Sequence, residues 1–130
     1  MNNEFPFCIF IVDDDPFCLQ LYHYHLSSLG YKNVYVFDNG KDCIKSLALQ
    51  PDLILLDHYM KPMNGMEVLK QVKRNNPDIF VVFISGQEEI HLPIVAMDNG
   101  AFDYLVKTDV TEDKLHLLIE KIQLIKKLPH

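Results

Sequence analysis

Short apolar runs that stop abruptly at a polar residue recur along this chain, and they limit its folding options more than any other feature. Phe7–Val12 (FCIFIV) runs into Asp13-Asp14-Asp15, Leu53–Leu56 (LILL) lies between Asp52 and Asp57, and Ile79–Ile84 (IFVVFI) runs into Ser85-Gly86. A run of this length without polar alternation reads as a strand buried on both faces. Val34–Phe37 (VYVF) is a fourth, shorter strand, and Phe102–Val106 a fifth that ends on Lys107.

Helical patterns separate these strands. Asp15-Pro16 provides an N-cap and a first-turn proline for a helix carrying Leu19, Tyr22, Leu26 and Leu29 on one stripe, closed by Gly30. Asn39 caps a second helix, with Cys43, Ile44, Leu47 and Ala48 expected to face inward until Pro51 ends the pattern. Asn64 and Glu67 form a capping box for a third, whose buried side is Val68, Leu69 and Val72. A weaker fourth passes through Ile90, Ile94 and Met97 to Gly100, with Pro93 inside it. Thr111 caps the last, with Val110 and Leu115 as a hydrophobic staple and Leu118, Ile119, Ile122 and Ile125 facing inward.

Strands alternating with helices, most of them apolar without a polar face, define a doubly wound α/β domain: a five-stranded parallel sheet with five helices on its two faces. At 130 residues the chain is expected to form one domain. Spacing alone leaves the strand order open.

In such a sheet the carboxyl ends of the strands open on one edge, where ligands bind. Asp13, Asp14, Asp57, Ser85 and Lys107 all close strands there. Unit charges ~4 Å apart interact by about 4 kcal/mol at an effective dielectric near 20, so three such carboxylates call for a cation or a bound proton. Mg²⁺ suits one or two carboxylates, waters and a phosphate, while Lys107 offers a mobile cation and Ser85 a hydroxyl. The set looks built to receive a phosphoryl group on a carboxylate. Singly, an acid at a strand end is most often a helix cap or a solvated turn. The weight lies in acid, acid, hydroxyl and lysine closing four different strands.

Other function classes find little support. A net charge of −6 with scattered basic residues argues against nucleic-acid binding. No apolar run approaches the roughly 20 residues that span a bilayer, and no signal-peptide pattern opens the chain. Cys8, Cys18 and Cys43 lack a C-x-x-C pair and suit small buried hydrophobes in a reducing, cytoplasmic setting. No G-x-G-x-x-G or P-loop is present. His58 is expected to be a solvated loop residue, and Asp52 a strand-leading residue without chemistry.

The motifs IFIVDDDP, LILLDHYM with the following M-N-G, FISG and DYLVK together resemble the receiver domain of bacterial two-component response regulators, over about Phe7 to Lys127. The resemblance implies a flavodoxin-like fold with strand order 2-1-3-4-5 and a single receiver domain, core about 7–127, with no output domain. It implies that Asp57 is the phosphoacceptor, charged by a sensor histidine kinase or phosphotransfer protein. Asp14 resembles the direct Mg²⁺ ligand and Asp13 the acid that binds through water, with Asp57 and the Tyr59 backbone carbonyl completing the metal site. Ser85 matches the switch hydroxyl, Tyr104 the switch aromatic and Lys107 the phosphate-binding lysine. A downstream protein would be read by the face of the fourth helix, fifth strand and fifth helix, and a phosphorylation-dependent homodimer is compatible with the family. Such a domain catalyses only its own phosphorylation and dephosphorylation.

Three positions depart from the family pattern. Lys61 precedes Pro62, placing the proline one residue late after Met60. Lys107 is followed by Thr108 instead of proline, so a trans bond is expected there, since a cis bond without proline costs about 2.5–4 kcal/mol. Ser85 replaces the commoner threonine. Tyr59 and Gln87 occupy positions that influence phosphoryl lifetime in the family. The shifted Pro62 and the missing Lys-Pro keep one alternative in view, a receiver-like interaction module that takes no phosphate; the second alternative is a phosphatase or phosphotransferase that uses an aspartyl-phosphate intermediate. The second would want an acid where Tyr59 stands.

Overall fold

The structure, a computed structural model of the chain, describes residues 6–86 and 90–128. Five strands, β1 (Ile9–Val12), β2 (Val34–Phe37), β3 (Leu53–Asp57), β4 (Phe80–Ser85) and β5 (Asp103–Val106), form one parallel sheet in the order β2-β1-β3-β4-β5. Between and after them run α1 (Pro16–Ser28), α2 (Gly40–Lys45), α3 (Gly65–Asn75), α4 (His91–Asp98) and α5 (Glu112–Lys126). Fold class and strand order are those the sequence and its resemblance led us to expect.

The unbroken apolar runs are explained by the two layers they serve. Ile9, Ile11, Leu53, Leu55, Val82 and Ile84 pack with residues of α1 and α5, whereas Phe10, Val12, Ile54, Leu56, Val81 and Phe83 pack with α2, α3 and α4. Successive side chains point to opposite faces, so a strand covered on both sides has no position for a polar residue. Leu53 to Leu56 are each no more than 1% exposed, and each contributes roughly 1.5–3 kcal/mol by burial.

The helices begin where the sequence places their caps. Asp15 accepts from the Phe17 N–H at 2.9 Å, Asn39 from Asp42 at 2.8 Å, and Thr111 from Lys114 at 3.2 Å. Asn64 and Glu67 bond reciprocally at 2.9 and 3.0 Å, completing the capping box. Gly30 and Gly100 close α1 and α4 with φ of +98°, a conformation that favours glycine.

Two helical faces differ from expectation. The second helix stops at Lys45 and gives way to a 3-10 turn, Leu47–Leu49, which keeps Cys43 and Leu47 buried but turns Ala48 to solvent. In α4 the buried residues are Leu92 and Ala96, while Ile94, Met97 and the preceding N-cap residue Ile90 (81% exposed) lie outside. An all-apolar stretch carries no polar face to reveal which side turns inward. Pro93 sits within the first turn of α4, where its missing N–H has no intrahelical partner to lose.

Register then sets the functional edge. Val12 pairs with Leu56, Asp57 with Ile84, and Ser85 with Val106. Asp13 and Asp57 therefore stand level on adjacent strands, with Ser85 one residue further on and Lys107 one residue beyond that.

Candidate functional site

Asp13 and Asp57 are buried to 1% and 2% exposure and Ser85 completely, whereas Asp14 is exposed. Asp13, Asp14 and Asp57 each present a carboxylate oxygen within 4.8 Å of the others. Lys107 reaches into this group, with Nζ 3.3 Å from Asp13 Oδ2 and 3.6 Å from Asp57 Oδ1. Asp13, Asp14, Asp57 and Lys107 thus converge, while Ser85 is placed beside them by strand register.

Its electrostatics are unbalanced. Burial above all, reinforced by Asp13 and only partly opposed by Lys107, pushes the Asp57 carboxyl up to about 7. Burial also raises Asp13, against the Asp15 backbone N–H (2.9 Å to Asp13 Oδ1) and Lys107. Lys107 is itself partly desolvated, yet Asp57 and Asp13 hold its ammonium above the ordinary lysine range. Among the described residues, Asp13 Oδ2 and Asp57 Oδ1 are buried and accept no hydrogen bond; the Lys107 ammonium is their neighbour. Buried carboxylate oxygens left this way cost free energy unless a cation or donor meets them. A hard divalent cation with oxygen ligands fits this donor set. The Tyr59 carbonyl, in the adjoining loop, accepts no backbone hydrogen bond among the described residues.

The departures at Lys61-Pro62 and Lys107-Thr108 leave the cluster assembled. Among the described residues the cis peptide is Lys61–Pro62, so Lys107–Thr108 is trans as expected. Lys107 opens a 3-10 turn, Lys107–Asp109, its carbonyl accepting from Val110 at 3.3 Å, and its side chain still meets both acids. Tyr104 pairs with Phe83 in the ladder and packs, half-buried, on the core beneath α3 and α4. Tyr59 is exposed. Gln87 lies outside the described residues.

Three residues do more than the sequence suggested. His58 is half-buried, its ring 5.8 Å from Phe83 and 4.8 Å from Tyr59, instead of standing in solvent. A side chain at Gly65 would put Cβ 2.5 Å from the Asp57 carbonyl oxygen and 2.7 Å from His58 Cα, so only glycine allows α3 to start this close to the end of β3. Its N–H donates to the His58 carbonyl at 2.9 Å, closing the loop. Asp52 accepts from the Cys8 N–H at 2.8 Å and pairs with Lys126 at 2.9 Å. Its separation from these partners in sequence, 44 residues from Cys8, hides that role.

Comparison with known proteins agrees with this geometry. The family model described as the response regulator receiver domain matches residues 9–120, and the chain belongs to that family. It is 37% identical over 98 residues to the luminescence regulatory protein LuxO of Vibrio campbellii, and 32% identical over 100 residues to the DNA-binding transcriptional regulator NtrC of Escherichia coli. These matches cover 75% and 76% of the chain but 21% of each relative, so the chain spans about a fifth of their length. A CheY-like response regulator receiver domain protein from Methanospirillum hungatei JF-1 shares the fold, with a TM-score of 0.85, 24% identity and coverage of 94% and 98% of the two chains. The signal receiver domain of a modulated diguanylate cyclase from Desulfovibrio desulfuricans G20 gives 0.80 at 29% identity, over 92% and 94%. Among the described residues no helix is long and apolar enough to cross a membrane.

Proposed function

We propose that this receiver domain accepts a phosphoryl group on Asp57 from a phosphohistidine of a sensor histidine kinase or phosphotransfer protein, in the cytoplasm, and thereby changes its partner-binding face. The observation that carries this reading is the placement of Lys107 between two buried, under-satisfied carboxylates, with a third acid alongside. Asp13, Asp14, Asp57 and the Tyr59 carbonyl would hold Mg²⁺, which when bound supplies positive charge against the transferring phosphoryl oxygens.

An oxygen of the Asp57 carboxylate attacks phosphorus as the phosphorus–nitrogen bond of the donor imidazole breaks. The electron pair leaves with that nitrogen, and the product on this chain is an acyl phosphate. Lys107 shifts from its carboxylate partners toward the new phosphoryl oxygens, and the Ser85 hydroxyl donates to one of them. Ser85 and Tyr104 stand on adjacent strands, so movement of the hydroxyl is transmitted to the aromatic ring and to the surface of α4, β5 and α5. The domain performs this chemistry once per activation and turns over no external substrate.

Incubation with Mg²⁺ and a small phosphodonor should label the protein with acid-stable, hydroxylamine-sensitive phosphate, and Asp57→Asn should abolish the label. Labelling that survives Asp57→Asn overturns the assignment of the acceptor. Absence of labelling together with intact Mg²⁺ binding would favour an interaction module that takes no phosphate.

A further inference from the structure

At the opposite end of the sheet from the acidic cluster, the chain forms a cavity of about 770 Å³, lined by residues including Lys73, Asp78, Phe80, Phe102, Ile125 and Lys126. Its walls come from α3, α5 and the turn before β5, and its volume lies in the usual range for small-molecule sites. The Phe80 and Phe102 rings meet edge to face there, with centroids 5.1 Å apart. Beside them Ile125 is only half-buried.

Cations gather around this aromatic floor. Lys73 Nζ donates to the carbonyls of Pro77 (3.1 Å) and Ile79 (2.5 Å), Lys126 Nζ forms an ion pair with Asp52 Oδ1 at 2.9 Å, and Lys121 Nζ lies 5.6 Å from the Phe102 ring centroid. An ammonium has three donors, so Lys73 keeps one beyond the two bonds it makes among the described residues. Lys126 pairs with Asp52 and Lys73 lies near Asp78, while Lys121 sits over the Phe102 ring, so among the described residues three ammonium groups border this part of the molecule. The Lys73 stem lies along the α4–β5 turn, where a Cβ at Gly100 would meet its Cε at 3.3 Å. Glycine with φ of +98° both makes the turn and gives the lysine room to reach the cavity.

We propose that this cavity is a binding site for a small aromatic carboxylate, its ring against Phe80 and Phe102 and its carboxylate among the ammonium groups of Lys73, Lys121 and Lys126. Flat apolar area with a rim of convergent cations takes an aromatic acid better than either a neutral aromatic or a simple anion. The site is independent of phosphoryl transfer, because no residue lining it belongs to the acidic cluster.

Titration of ¹⁵N-labelled protein with phenylacetate tests this, with acetate and benzyl alcohol as controls. Phenylacetate should move the amides of Asp78–Phe80, Gly100–Phe102 and Ile125–Lys126 along saturable curves in the millimolar range. Benzyl alcohol should bind roughly fivefold more weakly, and acetate should produce no saturable shift there. Lys121→Gln, at an exposed position that leaves the fold intact, and Lys126→Gln should each weaken phenylacetate about two- to fivefold. Absence of saturable shifts at these amides overturns the proposal. So does equal binding of benzyl alcohol, or affinity unchanged in both variants.

Discussion

The strand β3 carries an aspartate at each end, and the two are treated in opposite ways. Asp52, leading into the strand, has each carboxylate oxygen engaged: Oδ2 by the Cys8 N–H and Oδ1 by Lys126. Asp57, closing it, shares one lysine with Asp13, faces a third acid, and keeps a buried oxygen without a hydrogen bond among the described residues. One end uses charge to join β1 and α5 to the sheet. The other holds charge that the protein's own groups leave partly uncompensated, the property on which the proposed phosphoryl acceptance rests. A carboxylate's position at a strand end therefore says little about its role until its partners are counted.

The largest expected effect comes from removing the shared cation. Lys107→Met should destabilise the metal-free protein at pH 8 by about 2–4 kcal/mol, since two buried acids lose their counter-charge. Urea denaturation measures it, and the loss should shrink toward pH 5 as Asp57 takes up a proton. An unchanged midpoint at pH 8 would mean the acids are not energetically coupled to Lys107.

Asp57→Asn should act in the opposite direction and raise stability at pH 8 without divalent metal by about 1–3 kcal/mol. The Asp57 carboxyl is held at about 7 in the folded protein, above its value of 3.8 in the unfolded chain. The folded state thus binds the extra proton between those values, and the wild-type chain loses stability as pH rises toward and through 7. The gain from asparagine should accordingly vanish near pH 4. Added Mg²⁺ should narrow the gap at pH 8 by stabilising the wild type alone. A variant less stable than wild type at pH 8 would break the contrast between the two ends of β3.

At the other end the sign reverses. Asp52→Ala should cost about 1–2 kcal/mol at neutral pH, because the buried Cys8 N–H loses its side-chain acceptor. Smallest of all, Lys126→Gln should cost no more than about 0.5 kcal/mol, its half-exposed ion pair being screened by solvent. Equal losses in these two variants would show that Asp52 acts through Lys126 and not through the backbone.

The sequence by itself determined the alternation of strands and helices, the caps at Asp15, Asn39, Asn64 and Thr111, and the polar residues that close each strand. These signals are local: a strand buried on both faces must be apolar throughout, and a cap lies within three residues of the N–H it serves. Because parallel strands carry their chemistry at one edge, that local pattern was enough to assemble Asp13, Asp14, Asp57, Ser85 and Lys107 on paper. Tertiary structure decided what depends on distant partners. It turned Leu92 and Ala96 inward and Ile94 and Met97 outward in a helix with no polar stripe. It seated His58 against Phe83, and it required glycine at position 65, where α3 approaches the end of β3. Above all it separated Asp52 from Asp57, since whether a carboxylate is satisfied depends on groups brought to it from elsewhere in the chain.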